Sequence, residues 1–206
     1  MNRSNISMAV IRRLPKYHRC LSDMIDKGIE RISSKELSET IGFSASQIRQ
    51  DFNNFGKFGQ QGYGYNVKDL LEAISGIIGL QHTYHLIVLG AGNLGEALVN
   101  FGFDKLGFQV DALFDNDPEK IGRIIHGVEV IDINILETYM SKNPVDIAVI
   151  TTPGKVAQKI ADRVAISGAR SIWNFAPVDL IVPDDVVVED VHLVDNLMTL
   201  TYLLNE

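Results

Sequence analysis

One cysteine, Cys20, stands among 206 residues, which excludes an internal disulfide and a cysteine-rich zinc site and fits a reducing compartment. No run of eighteen apolar residues occurs, so no segment reads as a membrane-spanning helix. The N-terminus spreads Arg3, Arg12 and Arg13 among polar residues and lacks the apolar stretch of a secretory signal, so a cytoplasmic location is expected. Positive charge is short too: 19 Lys and Arg face 26 Asp and Glu, a net of −7. The shortage is uneven. Residues 1–80 carry eleven basic and eight acidic residues, a net of +3, whereas residues 81–206 carry eight and eighteen, a net of −10. Only the N-terminal part suits a polyanionic partner.

What is present begins with Gly90-Ala91-Gly92-Asn93-Leu94-Gly95, which follows the apolar run Tyr84–Leu89 and opens a helical stretch over 96–105. In such a fingerprint the first glycine permits the tight turn, the second lets backbone approach a pyrophosphate, and the third lets helix pack on strand. The free N–H groups at the helix start then receive the pyrophosphate. A second strand over 109–114 ends at Asp115, twenty residues after Gly95, where an acid hydrogen-bonds ribose hydroxyls. An acid there repels a 2′-phosphate and favours NAD(H) over NADP(H). Asp117 is the alternative ribose acid.

The N-terminal region reads as a winged helix-turn-helix. Pro15, Tyr17, Leu21, Met24 and Ile25 mark a first helix stopped by Gly28. Ser33 and Glu36 form a capping box for a short second helix that Gly42 ends, and Ser44 with Gln47 starts a third over 45–52. On that third helix Ile48 and Phe52 share an apolar face. Ser44, Ser46, Gln47, Arg49, Gln50 and Asn53 are left for bases and phosphates, since Arg can bridge guanine and Gln or Asn adenine in the major groove. The aromatic, polar and glycine alternation over 54–65 reads as a twisted hairpin, a wing whose one fixed charge is Lys57. An amphipathic helix from Val67 to Ile78 leads on as connector.

Beyond Asp115, strands near 128–131, 145–150 and 171–173 alternate with helices near 133–142 and 154–167, the rhythm of a Rossmann-type doubly wound parallel sheet. Thr152-Pro153 and Asn174-Phe175 end strands on the edge where ligands bind, as ligand contacts or as simple loop caps. His126 and His192 stand in no catalytic motif, so a proton donor for hydride transfer is wanting, and no metal site is expected. A cofactor that stays unreacted is a ligand whose oxidation state can be read as a signal. The segment 190–204 carries a broad apolar stripe that calls for burial, on its own domain or on a second protomer. The expected division is 1–80 for DNA binding, 81–188 for NAD(H), and 189–206 for a dimerisation helix. An enzyme with an accessory helical domain and a corepressor that touches protein instead of DNA are the competing readings.

The motifs Arg13-Leu14-Pro15-x-Tyr17, Ser33-Ser34-x-Glu36-Leu37, Gln47-Ile48-Arg49-x-Asp51-Phe52, Gly62-Tyr63-Gly64-Tyr65-Asn66-Val67, Gly90-x-Gly92-Asn93-Leu94-Gly95, Asn174-Phe175-Ala176-Pro177 and His192-x-x-Asp195 together resemble the bacterial Rex redox-sensing transcriptional repressors. The resemblance implies a homodimer with the C-terminal helix exchanged between protomers. It also implies binding to an A·T-rich inverted repeat in double-stranded operator DNA when NADH is low, release by NADH, and competition by NAD+. Arg13 and Asp195 match the residues through which similar proteins couple nucleotide to reader. Phe101 stands where many carry a tyrosine and has no hydroxyl. Gln60 or Gln61 stands where many carry a basic residue in the wing, which lowers phosphate contact and salt dependence.

Overall fold

A computed structural model describes residues 6–56, 59–60 and 63–205, with the backbone alone for residues 59 and 60. The expected phosphate contact Lys57, and Gln61, lie outside the described residues. The chain divides into two compact units, Met1–His82 and Thr83–Glu206.

In the first unit α1 (Met8–Ile11) precedes α2 (Leu14–Asp26), which has Pro15 in its first turn, where the missing N–H costs nothing. β1 (Arg31–Ile32) leads to α3 (Ser34–Ile41), whose N-terminus is closed by the reciprocal Ser33 and Glu36 bonds of a capping box and whose end is the left-handed Gly42. α4 (Ala45–Asn53) starts at Ser44, whose hydroxyl accepts from the Gln47 N–H. β2 (Gly59–Gln60) and β3 (Gly64–Asn66) pair antiparallel, and β1 joins the outer edge of β3, a third strand that the sequence reading lacks. α5 (Val67–Ile78) closes the unit. Tyr17 and Phe52 meet edge to face at 5.0 Å in a core shared by Leu14, Leu21, Ile48, Leu70 and Ile74.

The second unit is built on a seven-stranded sheet. Its strands are β4 (Tyr84–Leu89), β5 (Phe108–Asp115), β6 (Ile124–Ile125), β7 (Val128–Asp132), β8 (Ile147–Ile150), β9 (Ser171–Asn174) and β10 (Val187–Asp190). Their order is β10-β9-β8-β4-β5-β7-β6, parallel except for the β6–β7 pair. Successive residues of β4 serve opposite faces: Ile87 and Leu89 enter one apolar cluster, Leu86 and Val88 the other. The helices are α6 (Asn93–Val99), α7 (Leu136–Met140), α8 (Gly154–Ile166) and α9 (Leu193–Leu204). α6 is shorter than the helix expected over 96–105, because Gly102 turns left-handed at φ 79° and a 3-10 turn (Phe103–Leu106) follows. The chain leaves β4 toward β5 on one side and reaches β8 on the other, so the carboxyl ends of β4 and β8 form a topological switch point.

Candidate functional site

On α4 the side chains of Ser44, Ser46, Arg49, Gln50 and Asn53 are exposed, on the opposite side from buried Ile48 and Phe52. Arg49 donates to the Ser34 hydroxyl at 2.9 Å, which steadies its guanidinium at the surface without burying it. Gln47 does not belong to this set. It is half-buried, and its amide donates to Asp51 at 2.9 Å, so it supports the helix instead of facing outward.

Asp51 is the residue that sequence reasoning missed. It is fully buried on α4 and accepts hydrogen bonds from Arg13 Nε and Nη2, from the Tyr17 hydroxyl and from Gln47. Burial alone pushes the Asp51 carboxyl up, but those bonds outweigh it and hold it below the usual carboxylate range. Burial, with the bond to Asp51, raises the Tyr17 phenol far above its ordinary value. Arg13, expected as a coupling residue, is therefore committed within its own unit to Asp51.

At the switch point of the second unit a cavity of about 790 Å³ opens. Gly90 and Gly92 line it from the turn, Asp115, Asn116 and Lys120 from the end of β5, Thr151, Thr152 and Pro153 from the end of β8, and Phe175 and Pro177 from beyond β9. Asn134, Lys159 and Arg163 also line it, and periodicity along the chain gave no sign of them. The other members of the turn lie outside the lining. Ala91 is buried with its N–H given to Asp115 at 2.7 Å, Asn93 is exposed at the start of α6, Leu94 packs into the adjacent core, and Gly95 is buried.

Each of the two glycines answers a different need. A Cβ on Gly95 would collide with the Gly90 carbonyl oxygen, so the fold itself requires Gly95. A Cβ on Gly92 would meet nothing within 4 Å, and its φ of −89° suits any residue. Its backbone is thus open on the cavity side, where a ligand can approach it closely. Thr152 points the same way: its hydroxyl, beside the cavity, is buried with no protein partner among the described residues. A buried polar group left unpaired is costly, and a ligand would satisfy it. These features fit a dinucleotide.

Asp115 Oδ2 accepts from Ala91 N–H and, at 3.3 Å, from Lys120 Nζ, while Oδ1 accepts from Asp117 N–H. Burial raises this carboxyl, but the Asp117 and Ala91 amides and Lys120 more than offset it and leave it ionised below its usual range. Asp117 itself turns its Oδ1 to the Glu119 N–H. Asn174 departs from expectation. It is fully buried, its amide donates to Val178 O and Asp190 Oδ1, and its oxygen accepts from Ala176 N–H, so it braces the sheet and does not line the cavity.

Phe101 is exposed and packs tilted against Phe103 with ring centroids 4.8 Å apart; Asp195 is exposed, 3.5 Å from His192 Nδ1. α9 has no buried residue in the single chain, and Leu197, Met198 and Leu200 are each at least half exposed. Packing on its own domain does not supply the burial its sequence calls for. Among the described residues no group of metal-ligating side chains assembles, and no helix is long and apolar enough to cross a membrane.

A winged helix-turn-helix carried on the same chain as a doubly wound sheet with a dinucleotide turn defines a nucleotide-responsive DNA-binding regulator. Residues 5–53 match a family model described as putative DNA-binding protein N-terminus, and residues 81–178 one described as CoA binding domain. The redox-sensing transcriptional repressor Rex of Clostridium botulinum (strain Hall) is 57% identical over 205 residues, 99% of this chain and 98% of that protein. Its counterpart in Clostridium tetani is 56% identical over 203 residues, 98% of this chain and 96% of that protein. Among solved structures, RSP, a Rex-family repressor, in complex with β-NAD+ and operator DNA has a TM-score of 0.94 at 51% identity, covering 98% of this chain and 94% of that one. RSP in complex with β-NADH has a TM-score of 0.91 at 48% identity, covering 98% and 96%. The chain belongs to the Rex family of redox-sensing transcriptional repressors.

Proposed function

We propose that this chain is a cytoplasmic homodimeric repressor that holds an A·T-rich inverted repeat when NADH is low and releases it when NADH binds. The observation that carries this reading is the switch-point cavity, with Gly92 bare and the Thr152 hydroxyl unpartnered, in a chain whose other unit presents the polar face of α4. The role is regulatory rather than enzymatic.

Gly90, Gly92, Asp115, Thr152, Pro153 and Phe175 hold the nucleotide. Asp115 takes the ribose hydroxyls and repels a ribose phosphate, which disfavours both NADP(H) and coenzyme A. Reduction removes the positive charge of the nicotinamide ring, and the apolar lining at Pro153, Phe175 and Pro177 favours the neutral ring. NADH then shifts the DNA equilibrium only as far as its affinities for the two states differ. Arg13, Phe101 and Asp195 remain the residues proposed to carry that shift, with Phe101 acting without a hydroxyl. A second copy covers α9, and the resulting two-fold symmetry matches the two half-sites of an inverted repeat.

The test is anisotropy of a labelled inverted repeat with Arg49→Ala, with NADH binding followed on the same samples. Retained nucleotide binding with about five- to 150-fold weaker DNA binding is expected, about 1–3 kcal/mol for one base contact. Unchanged DNA affinity would remove α4 as the reader.

A further inference from the structure

The ribose edge of the cavity holds more positive charge than two neutral hydroxyls need. Lys120 lines it beside Asp115, Lys159 lines the same cavity from α8, and Arg163 is committed to Glu137 at 2.6 and 2.8 Å and to the Ile133 carbonyl at 2.7 Å. The Lys120 ammonium has three donors, and the one bond recorded for it among the described residues goes to Asp115 at 3.3 Å. Asp115 does not depend on Lys120 for its placement, because the amides of Ala91 and Asp117 already fix one carboxylate oxygen each. The lysine is thus surplus to the architecture. It stands 3.3 Å from the acid proposed to take the ribose hydroxyls.

We propose that Lys120 is a specificity-determining residue, a phosphate-binding cation masked by Asp115, so that this pair sets the choice between a dinucleotide with a free 2′-hydroxyl and one with a 2′-phosphate. The inference rests on the dinucleotide reading of the cavity. With Asp115 in place, a 2′-phosphate meets a carboxylate and a lysine already paired. With the acid neutralised, the lysine is released to make charge-assisted hydrogen bonds to that phosphate.

The experiment measures equilibrium binding of NADH and NADPH, by nucleotide fluorescence, to the full-length protein and to Asp115→Asn, Lys120→Met and the double variant. The wild type should prefer NADH. Asp115→Asn should shift the NADPH/NADH affinity ratio toward NADPH by about tenfold or more, the scale of one hydrogen bond to a charged group, and the double variant should lose that gain. Lys120→Met alone should shift the ratio further toward NADH while leaving NADH affinity within about twofold, as for a partly exposed ion pair. A gain in Asp115→Asn that survives loss of Lys120, or a ratio that Lys120→Met leaves unchanged, overturns the proposal. Should Asp115→Asn fail to fold, the Lys120→Met ratio decides alone. A wild type that binds neither dinucleotide overturns the nucleotide reading itself, and this inference with it.

Discussion

The Arg13 guanidinium holds the Asp51 carboxylate through two 2.7 Å hydrogen bonds, tying the start of α2 to α4 across 38 residues of sequence. Asp51 is fully buried and Arg13 is one-fifth exposed, so the two ends of the pair are not equivalent. Removing Arg13 strands a buried charge on two neutral donors, whereas removing Asp51 leaves an arginine that water can reach. Arg13→Ala should therefore cost about 2–4 kcal/mol, read from chemical denaturation of the full chain. Arg13→Lys should recover only part of it, since an ammonium lacks the two-pronged fit. A loss under about 0.5 kcal/mol, the scale of an ordinary surface substitution, would contradict the assignment.

The same pair predicts a pH dependence. The folded-state value of Asp51 lies below its ordinary 3.8, so its contribution is full above that value and is lost as pH falls through the lower folded one. The stability gap between wild type and Arg13→Ala should be widest near pH 7 and narrow as pH falls, because a buried Asp51 deprived of Arg13 takes up its proton at higher pH than in the wild type. A gap that stays constant down to pH 3 would mean that the carboxylate is not what Arg13 stabilises.

The two glycines should separate fold from binding. Gly95→Ala forces a Cβ into the Gly90 carbonyl and should lower the melting temperature of the chain and its nucleotide affinity together. Gly92→Ala meets open space and should leave the melting temperature within about 1 °C, because surface changes are usually within about 0.5 kcal/mol, while weakening dinucleotide binding. Unimpaired binding by Gly92→Ala would show that no ligand approaches that backbone.

Thr152→Val tests the unpartnered hydroxyl. Replacing an unsatisfied buried hydroxyl with a methyl should leave the ligand-free protein equally or more stable, yet reduce nucleotide affinity by about five- to tenfold, one hydrogen bond's worth. A thermal scan of the ligand-free proteins reads the stability and calorimetric titration the affinity, and equal affinity in the two proteins would place the hydroxyl outside the ligand's reach.

The exposed stripe of α9 should hold two chains together. Leu197→Asp, at a position 61% exposed in the single chain, should shift sedimentation from dimer to monomer and abolish binding to a full inverted repeat. A Leu197→Asp protein that still sediments as a dimer would locate the interface elsewhere.

Local constraints made much of this legible in the sequence. The glycine turn, the strand ahead of it and Asp115 lie within thirty-two residues and need no distant partner to be recognised. Ser33 with Glu36, and Ser44 with Gln47, mark helix starts because capping acts over three residues. What escaped notice depended on distance. Asp51 lies three residues from Ile48 on the apolar face of α4, a charge that called for a partner, but its partners are Arg13, just ahead of α2, and Tyr17 within it. Asn174 ends a strand on the ligand edge as expected, and its amide turns inward because Asp190, on the unforeseen strand β10, lies beside it. Lys159 and Arg163 reach the cavity from α8, whose sequence shows only an amphipathic helix.

One bound dinucleotide, read by oxidation state, is proposed to govern DNA release. The most direct measurement forms the complex with a labelled inverted repeat at fixed salt, then titrates NADH and, separately, NAD+, following anisotropy. Release by NADH is expected at concentrations where NAD+ leaves the complex intact. Tight binding that ignores both nucleotides, or release by both at equal concentration, would contradict it.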